Sequence, residues 1–145
     1  MKQHTWASAA IVLGTVAVSV AAAACGGGDD TEGKRENVSL GEYSIKPAAT
    51  SVPAGKVTFV VKDTGALAHE LVVLKTDLAP QALKMLSPDK VDQDGSGKVA
   101  GEVEDVKAGT TAPAVTLDLS PGKYVLLCNV EGHYALGMAT AFEVK

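Results

Sequence analysis

Three residues near the end of the 145-residue chain have side chains that can bind a metal: Cys128, His133 and Met138. Four residues separate each of them from the next. On an α-helix a step of five residues turns by about 140°, and on a strand it reverses the face, so neither regular structure would bring the three together. A loop would, and a glycine directly before His133 and another before Met138 allow tight backbone angles. The spacing therefore predicts a loop that directs all three side chains at one point.

The chemistry of these donors indicates which metal such a loop would hold. A thiolate, an imidazole and a thioether form a soft ligand set, which favours copper over hard cations. Zinc also accepts Cys and His, but a thioether is a poor zinc ligand. A second imidazole would complete a ligand set of two His, one Cys and a weak axial Met, which is typical of a blue-copper electron-transfer site. His69, at the start of the apolar run HELVVL, is the other histidine outside the first 24 residues and would have to supply it.

The beginning of the chain predicts export. Lys2 is followed by an uncharged stretch and by small residues before Cys25, so residues 1–24 are expected to be a signal peptide. The alanines directly before Cys25 (residues 21–24) resemble the lipobox of bacterial lipoproteins, which implies a lipid-modified cysteine and anchoring on the outer side of the cytoplasmic membrane. A secreted or periplasmic soluble protein is the alternative. Residues 25–36 are expected to form a flexible tether, and residues 37–145 the folded domain.

Charge and cysteine content restrict the partners. Once Lys2 is removed with the leader, twelve basic residues face seventeen acidic ones, a formal net charge of −5. This balance argues against nucleic-acid binding and favours basic protein partners. If Cys25 carries lipid, Cys128 has no disulfide partner, and a metal would explain a lone thiol in an oxidising compartment.

The folded part is expected to be all-β. Short apolar or alternating runs separated by Gly and Pro turns favour an antiparallel sandwich or barrel. The predicted strands cover residues 38–45, 56–63, 69–74, 99–106, 114–120, 123–128 and 138–145. The stretch LAPQALKML (78–86) is expected to be a short helix in a crossover. The polar segment 88–98 is similar to the start of a calcium loop, but Val103 stands where such a loop ends in Glu, so a solvated loop is expected.

The loop motif CNVEGHYALGM between two strands, preceded far upstream by DTGALAH, resembles the cupredoxins, which are small blue copper proteins. The spacing is most similar to that of sulfocyanins and rusticyanins. The resemblance implies an eight-stranded Greek-key β-sandwich with one type 1 copper near one pole. It implies His69 as the first imidazole ligand, Cys128 as the thiolate, His133 as the second imidazole and Met138 as the axial ligand.

The resemblance also implies a function. A cupredoxin would carry single electrons between redox partners, such as a cytochrome or a copper oxidase, outside the cytoplasm, as a monomer and not as an enzyme. Electrons would pass through the edge of His133, and Tyr134, Ala135 and Leu136 would form an apolar docking patch. An extracytoplasmic copper carrier or buffer is the alternative function. A copper enzyme is disfavoured, because a catalytic centre would need further imidazoles and the chain outside the leader has none.

Overall fold

The computed structural model of the protein describes residues 33–145, which form two packed β-sheets and one small β-ribbon. The predicted leader, Cys25 and the first part of the predicted tether lie outside the described residues. In chain order the elements are β1 (Lys34–Gly41), β2 (Ser44–Pro47), β3 (Ser51–Val52), β4 (Gly55–Asp63), β5 (His69–Lys75), β6 (Met85–Ser87), β7 (Lys90–Val91), α1 (Gln93–Ser96), β8 (Lys98–Val106), β9 (Val115–Leu119), β10 (Gly122–Leu127) and β11 (Ala139–Val144).

The strands are arranged as a sandwich. One sheet has the order β2-β1-β4-β9 and the other β3-β11-β10-β5-β8, while β6 and β7 pair with each other. Most pairs are antiparallel, and β1–β4 and β3–β11 are parallel. The all-β Greek-key sandwich predicted from the sequence is confirmed. Three of the eleven strands in the described range, β3, β6 and β7, have only two or three residues, which leaves the eight longer strands that the resemblance implied.

The main core lies between the two sheets. Alternate residues of β4 point inward, among them Val57, Phe59 and Val61, all at most 1% exposed. The Phe59 ring meets Phe142 of β11 in the opposite sheet, with ring centroids 6.0 Å apart. This period of two along a strand is the pattern of an element with one buried face.

β5 departs from that alternation because it is buried on both faces. Val72 and Leu74 point away from the main core and join a second cluster with residues of the crossover between β5 and β8, Leu83 and Val91. A strand covered on both sides has a continuous apolar run, which explains the sequence HELVVL. The crossover therefore packs onto the outside of the sheet that carries His69.

The helix predicted at residues 78–86 is wrong. In its place the chain turns at Pro80 and then forms β6 from Met85. Proline disfavours helical angles at the preceding residue, and the burial of Leu83 in the second cluster sets the path of the segment. Tertiary contacts have overridden a local preference for helix.

The helix of the described region is instead α1, inside the segment predicted to be a solvated loop. The Asp92 side chain caps it by accepting the Gly95 N–H at 2.9 Å. That carboxylate is therefore used by the fold, and the segment has the structure of a capped turn. Within residues 33–145, no helix is long and apolar enough to cross a membrane.

The predicted boundary between tether and domain needs a correction of three residues. β1 begins at Lys34 and pairs with Val57 of β4. Glu36 is only 1% exposed, and its Oε1 accepts the Ala49 N–H at 2.9 Å. Residues 34–36 therefore belong to the folded domain. The charged run that suggested a tether contains the start of β1, a central strand of its sheet.

Candidate metal centre

Two neighbouring strands bring the first two predicted ligands together. His69 is the first residue of β5, and Cys128 directly follows β10. Because β5 and β10 are antiparallel neighbours, the start of one and the end of the other lie at the same pole of the sandwich. The loop after β10 then returns His133 to this pole.

The donor atoms of His69, Cys128 and His133 converge on one point. The two imidazole Nδ1 atoms are 3.1 Å apart. The Cys128 Sγ lies 3.4 Å from the Nδ1 of His133 and 4.0 Å from the Nδ1 of His69. Two nitrogens and one sulfur so arranged form a trigonal set of soft donors, which fits copper.

The cluster is almost completely closed to solvent. Cys128 is 0% exposed, His69 1% and His133 8%. Among the described residues Cys128 is a free cysteine, as expected if a metal uses its sulfur. His133 is thus the one of the three that reaches the surface.

The loop between β10 and β11 curls as its glycines predicted. Gly132 has a φ of 81° and Gly137 a φ of 100°, in the left-handed region that glycine adopts without strain. The Cys128 N–H donates to the Met138 carbonyl, and the Met138 N–H donates to the His133 carbonyl, both at 3.1 Å. These bonds close the loop on itself and place the backbone of Met138 beside two of the predicted ligands.

Met138 is 0% exposed and packs in the main core between the sheets. Its burial and its backbone bonds to the Cys128 and His133 segments agree with a position beside the cluster. The role of its thioether as the axial ligand stays a prediction.

Residues that the sequence analysis did not single out hold the thiol in place. The Glu70 N–H donates to the Cys128 Sγ at 3.5 Å, and the Glu70 carboxylate accepts the Asn129 N–H at 2.9 Å. The Asn129 side chain accepts the Val91 N–H at 2.7 Å and donates to the Val91 carbonyl at 3.2 Å. Glu70 and Asn129 each directly follow a ligand candidate in the sequence, a position that could have drawn attention to them.

Burial shifts the pKa values of Cys128 and His133. Loss of hydration raises the pKa of the Cys128 thiol above its ordinary value, although the Glu70 N–H opposes this rise. Burial, and then repulsion from the nearby His69, lowers the pKa of His133. Without metal the thiol therefore keeps its proton and His133 stays neutral at neutral pH.

The surroundings of His133 differ in one respect from the expected docking patch. Tyr134 is buried, and its hydroxyl oxygen accepts the N–H of Leu83 in the crossover at 3.0 Å. Leu136 is 59% exposed, and Ala135 is also exposed. Of the predicted patch, Ala135 and Leu136 therefore lie at the surface, while Tyr134 ties the loop to the crossover.

Comparison with known proteins agrees with this geometry. A family model described as the sulfocyanin (SoxE) domain matches residues 47–144, which include all four predicted ligands. The chain belongs to the sulfocyanin family. A curated sulfocyanin from Sulfolobus acidocaldarius is 34% identical over 91 residues, which are 60% of this chain and 45% of that protein. The chain thus spans less than half the length of that sulfocyanin.

Solved structures show the same fold. Reduced auracyanin from Roseiflexus castenholzii has a TM-score of 0.59 at 23% identity, over 77% of this chain and 97% of its own. Rusticyanin from Thiobacillus ferrooxidans has a TM-score of 0.54 at 16% identity, over 79% of each chain. The protein is therefore a cupredoxin of the sulfocyanin family with one type 1 copper, and His69, Cys128 and His133 are grouped as its candidate site.

Proposed function

We propose that this sulfocyanin-family protein carries single electrons between redox partners outside the cytoplasm. The observation that carries the proposal is the closed cluster of two Nδ1 atoms and one Sγ, at 3.1 to 4.0 Å from one another. Copper bound by such donors supplies one-electron chemistry between Cu(I) and Cu(II). The chain contributes the position of the donors, their isolation from water and one edge open to a partner.

The support around the donors favours rapid electron transfer, because a site that moves little on a change of charge reacts with a low barrier. Cys128 is held through its own N–H and through the Glu70 N–H to its sulfur. The next residue, Asn129, is fixed by its N–H and by both atoms of its side-chain amide. The thiol is therefore held by the backbone of β5, by the crossover and by its own loop.

His133 is the proposed route for electrons. At 8% exposure it is the ligand residue closest to solvent, and the two residues after Tyr134 continue its loop across the surface. Leu67, on the loop that leads to His69, is also exposed. We define Leu67, Ala135 and Leu136 as the apolar pole, where a redox protein such as a cytochrome or a copper oxidase would dock.

Copper carriage or buffering remains the second candidate from sequence, but no observation in the structure favours it. Rapid exchange of metal needs ligands that an acceptor can reach, whereas Cys128 and His69 are at most 1% exposed. The two functions make opposite predictions about which leaves the protein more readily, an electron or the metal.

The test is to mix the reduced, copper-loaded protein with oxidised cytochrome c in a stopped-flow instrument. We expect electron transfer whose rate rises with cytochrome concentration, while copper stays bound in the presence of a chelator. Leu136→Ala should slow the reaction by about tenfold, the effect of losing one central contact. Leu78→Ala, an exposed leucine outside the apolar pole, is the matched control and should not slow it. Slow electron transfer combined with ready delivery of copper to the chelator would contradict the proposal.

Membrane anchoring through Cys25 is part of the proposal and is supported by the sequence before it. Expression of the full chain in a bacterium, fractionation and mass spectrometry of the first peptide test it. We expect a lipid-modified Cys25 in the membrane fraction, as the first residue of the mature protein, and no lipid in Cys25→Ala. An unmodified Cys25 in the mature protein would contradict it.

A further inference from the structure

A two-residue turn from the opposite sheet reaches the metal pole. β1 and β2 are joined by Glu42 and Tyr43 alone, which we call the β1–β2 turn. All of β1 and β2 belongs to the four-stranded sheet, whereas His69 lies in the five-stranded sheet. The turn is therefore a point at which one sheet can act on ligands presented by the other.

Tyr43 has a backbone conformation that its side chain does not favour. It is the second residue of the turn, with a φ of 56°. Glycine or asparagine is the usual residue at such a position, because a bulky side chain crowds the backbone in the left-handed region. The conformation of the turn therefore does not explain why a tyrosine stands there.

The contact of the Tyr43 ring does explain it. The ring lies edge-on to the His133 imidazole, with centroids 5.6 Å apart and planes at 87°. On another side of His133 lies the His69 ring, at 4.9 Å and 61°. Tyr43 is 38% exposed and His133 only 8%, so Tyr43 stands between part of the imidazole and solvent.

Glu42 acts on the other imidazole through the loop that precedes it. The Glu42 carboxylate accepts the N–H groups of Ala66 and Leu67, the latter at 3.1 Å. Leu67 is two residues before His69. Gly65 leaves room for this approach, because a Cβ there would lie 2.5 Å from the Glu42 Oε1. The same loop is tied to β1 where the N–H and the hydroxyl of Thr64 both donate to the Leu40 carbonyl at 2.8 Å.

We infer that the β1–β2 turn is a positioning element for both imidazoles: Glu42 fixes the loop that delivers His69, and Tyr43 packs against His133. This inference builds on the proposed function, because a site that keeps its geometry exchanges electrons rapidly. Outer groups that orient metal ligands typically change metal affinity by roughly 10- to 100-fold when they are replaced.

Tyr43→Asn separates positioning from folding, because asparagine suits the left-handed turn and lacks the ring. We expect its apoprotein to unfold at the wild-type temperature or above. We expect its copper to pass to a chelator roughly tenfold faster, with a shifted reduction potential. In the apoprotein, the NMR signals of the two histidine rings should broaden or average. Tyr43→Phe, which keeps the ring, should restore the wild-type values.

Glu42→Gln and Glu42→Ala test the other half of the turn, and both should change the ring signals of His69. Asp118→Ala removes the same charge from an exposed position of β9, opposite Lys56 near the start of β4, and is the matched control. Glu42→Gln keeps an acceptor oxygen and should cause the smaller change; if Glu42→Ala fails to fold, Tyr43→Asn decides.

Wild-type potentials, copper release and ring signals in both Tyr43→Asn and Glu42→Ala would overturn the inference and leave the proposed function intact. If the wild-type protein itself carried no electrons, the proposed function would fall. The ring signals of the apoprotein would still decide the role of the turn.

Discussion

At Cys128, burial and metal binding act in opposite directions on the thiol proton. Burial raises the pKa of the thiol, but a metal binds the thiolate. In a closed site, only a metal that bonds strongly to sulfur offsets the free energy needed to remove that proton. The burial that isolates the sulfur from water therefore also selects for a soft metal such as copper.

Met138 is the predicted ligand for which substitution is most informative. Met138→Leu keeps the size and apolar character of a fully buried side chain, so it should cost less than about 1.5 kcal/mol of stability. If the thioether is the weak axial ligand, its loss removes electron donation to Cu(II), and the reduction potential should rise. Thermal unfolding and voltammetry measure the two effects. An unchanged potential would show that Met138 only fills the core.

At the scale of elements, the loop from β10 to β11 depends on its tie to the crossover. Tyr134→Phe removes the acceptor of the buried Leu83 N–H, which should destabilise the protein by about 1–3 kcal/mol and speed the loss of copper. Chemical denaturation and transfer of copper to a chelator measure this.

Tyr124→Phe is the matched control for that prediction. The Tyr124 hydroxyl donates to the Ser120 carbonyl at 2.8 Å, close to the start of β10 and so away from the metal pole. This variant should lower stability without changing the rate of copper loss. Equal copper loss in the two variants would mean that Tyr134 acts only through global stability.

The contact between Glu42 and the loop before His69 predicts a dependence on pH. Backbone N–H groups, first that of Ala66, lower the pKa of Glu42 below its ordinary value of 4.5, and His69 adds a smaller effect in the same direction. The contribution of Glu42 to stability is therefore complete above pH 4.5 and is lost as the pH falls through the lowered pKa. The difference in unfolding temperature between the wild-type apoprotein and the Glu42→Gln apoprotein should be largest near neutral pH and disappear in acid. A difference that does not change with pH would assign the effect to something other than the charge.

The helix shows where local sequence fails to predict an element. Residues 78–86 contain good helix formers, yet burial of Leu83 and the pairing of β6 decide their path. The observed helix, Gln93–Ser96, has a glycine and an aspartate and depends on the Asp92 cap. Contacts of Leu83 with the outside of β5, which the sequence of the crossover does not reveal, decided the path of residues 78–86, whereas a local cap decided the helix.

At the scale of the whole molecule, the excess of acidic residues should affect reaction rates. With a formal net charge of −5 outside the leader, the protein should attract cations. We expect reduction by hexaammineruthenium(II) to slow as salt is added and reduction by ferrocyanide to accelerate, because the Debye length falls to about 10 Å at 0.1 M. Stopped-flow rates over a salt series measure this. The opposite pair of slopes would mean that the surface around His133 is locally basic.

The sequence was most informative where one segment contains the whole signal. The loop with Cys128, His133 and Met138 was predicted from spacing and from its glycines, and β4, β5, β8, β9, β10 and β11 lie where strands were predicted. The single strand predicted over residues 38–45 is wrong, because the chain turns at Glu42 and Tyr43 between β1 and β2, and β3 was not predicted. The part that could not be predicted lies in contacts between distant segments. Tyr43 reaches His133 only because the two sheets pack with the β1–β2 turn over the pole, and no local pattern in the sequence records that contact.

A type 1 copper site is tested most simply by the visible spectrum of the apoprotein, starting at Gly26, during titration with Cu(II). We expect an intense blue or green sulfur-to-copper charge-transfer band that saturates at one copper per chain and is absent in Cys128→Ser. A weak or transient band, or one that persists in Cys128→Ser, would contradict a type 1 site at His69, Cys128 and His133.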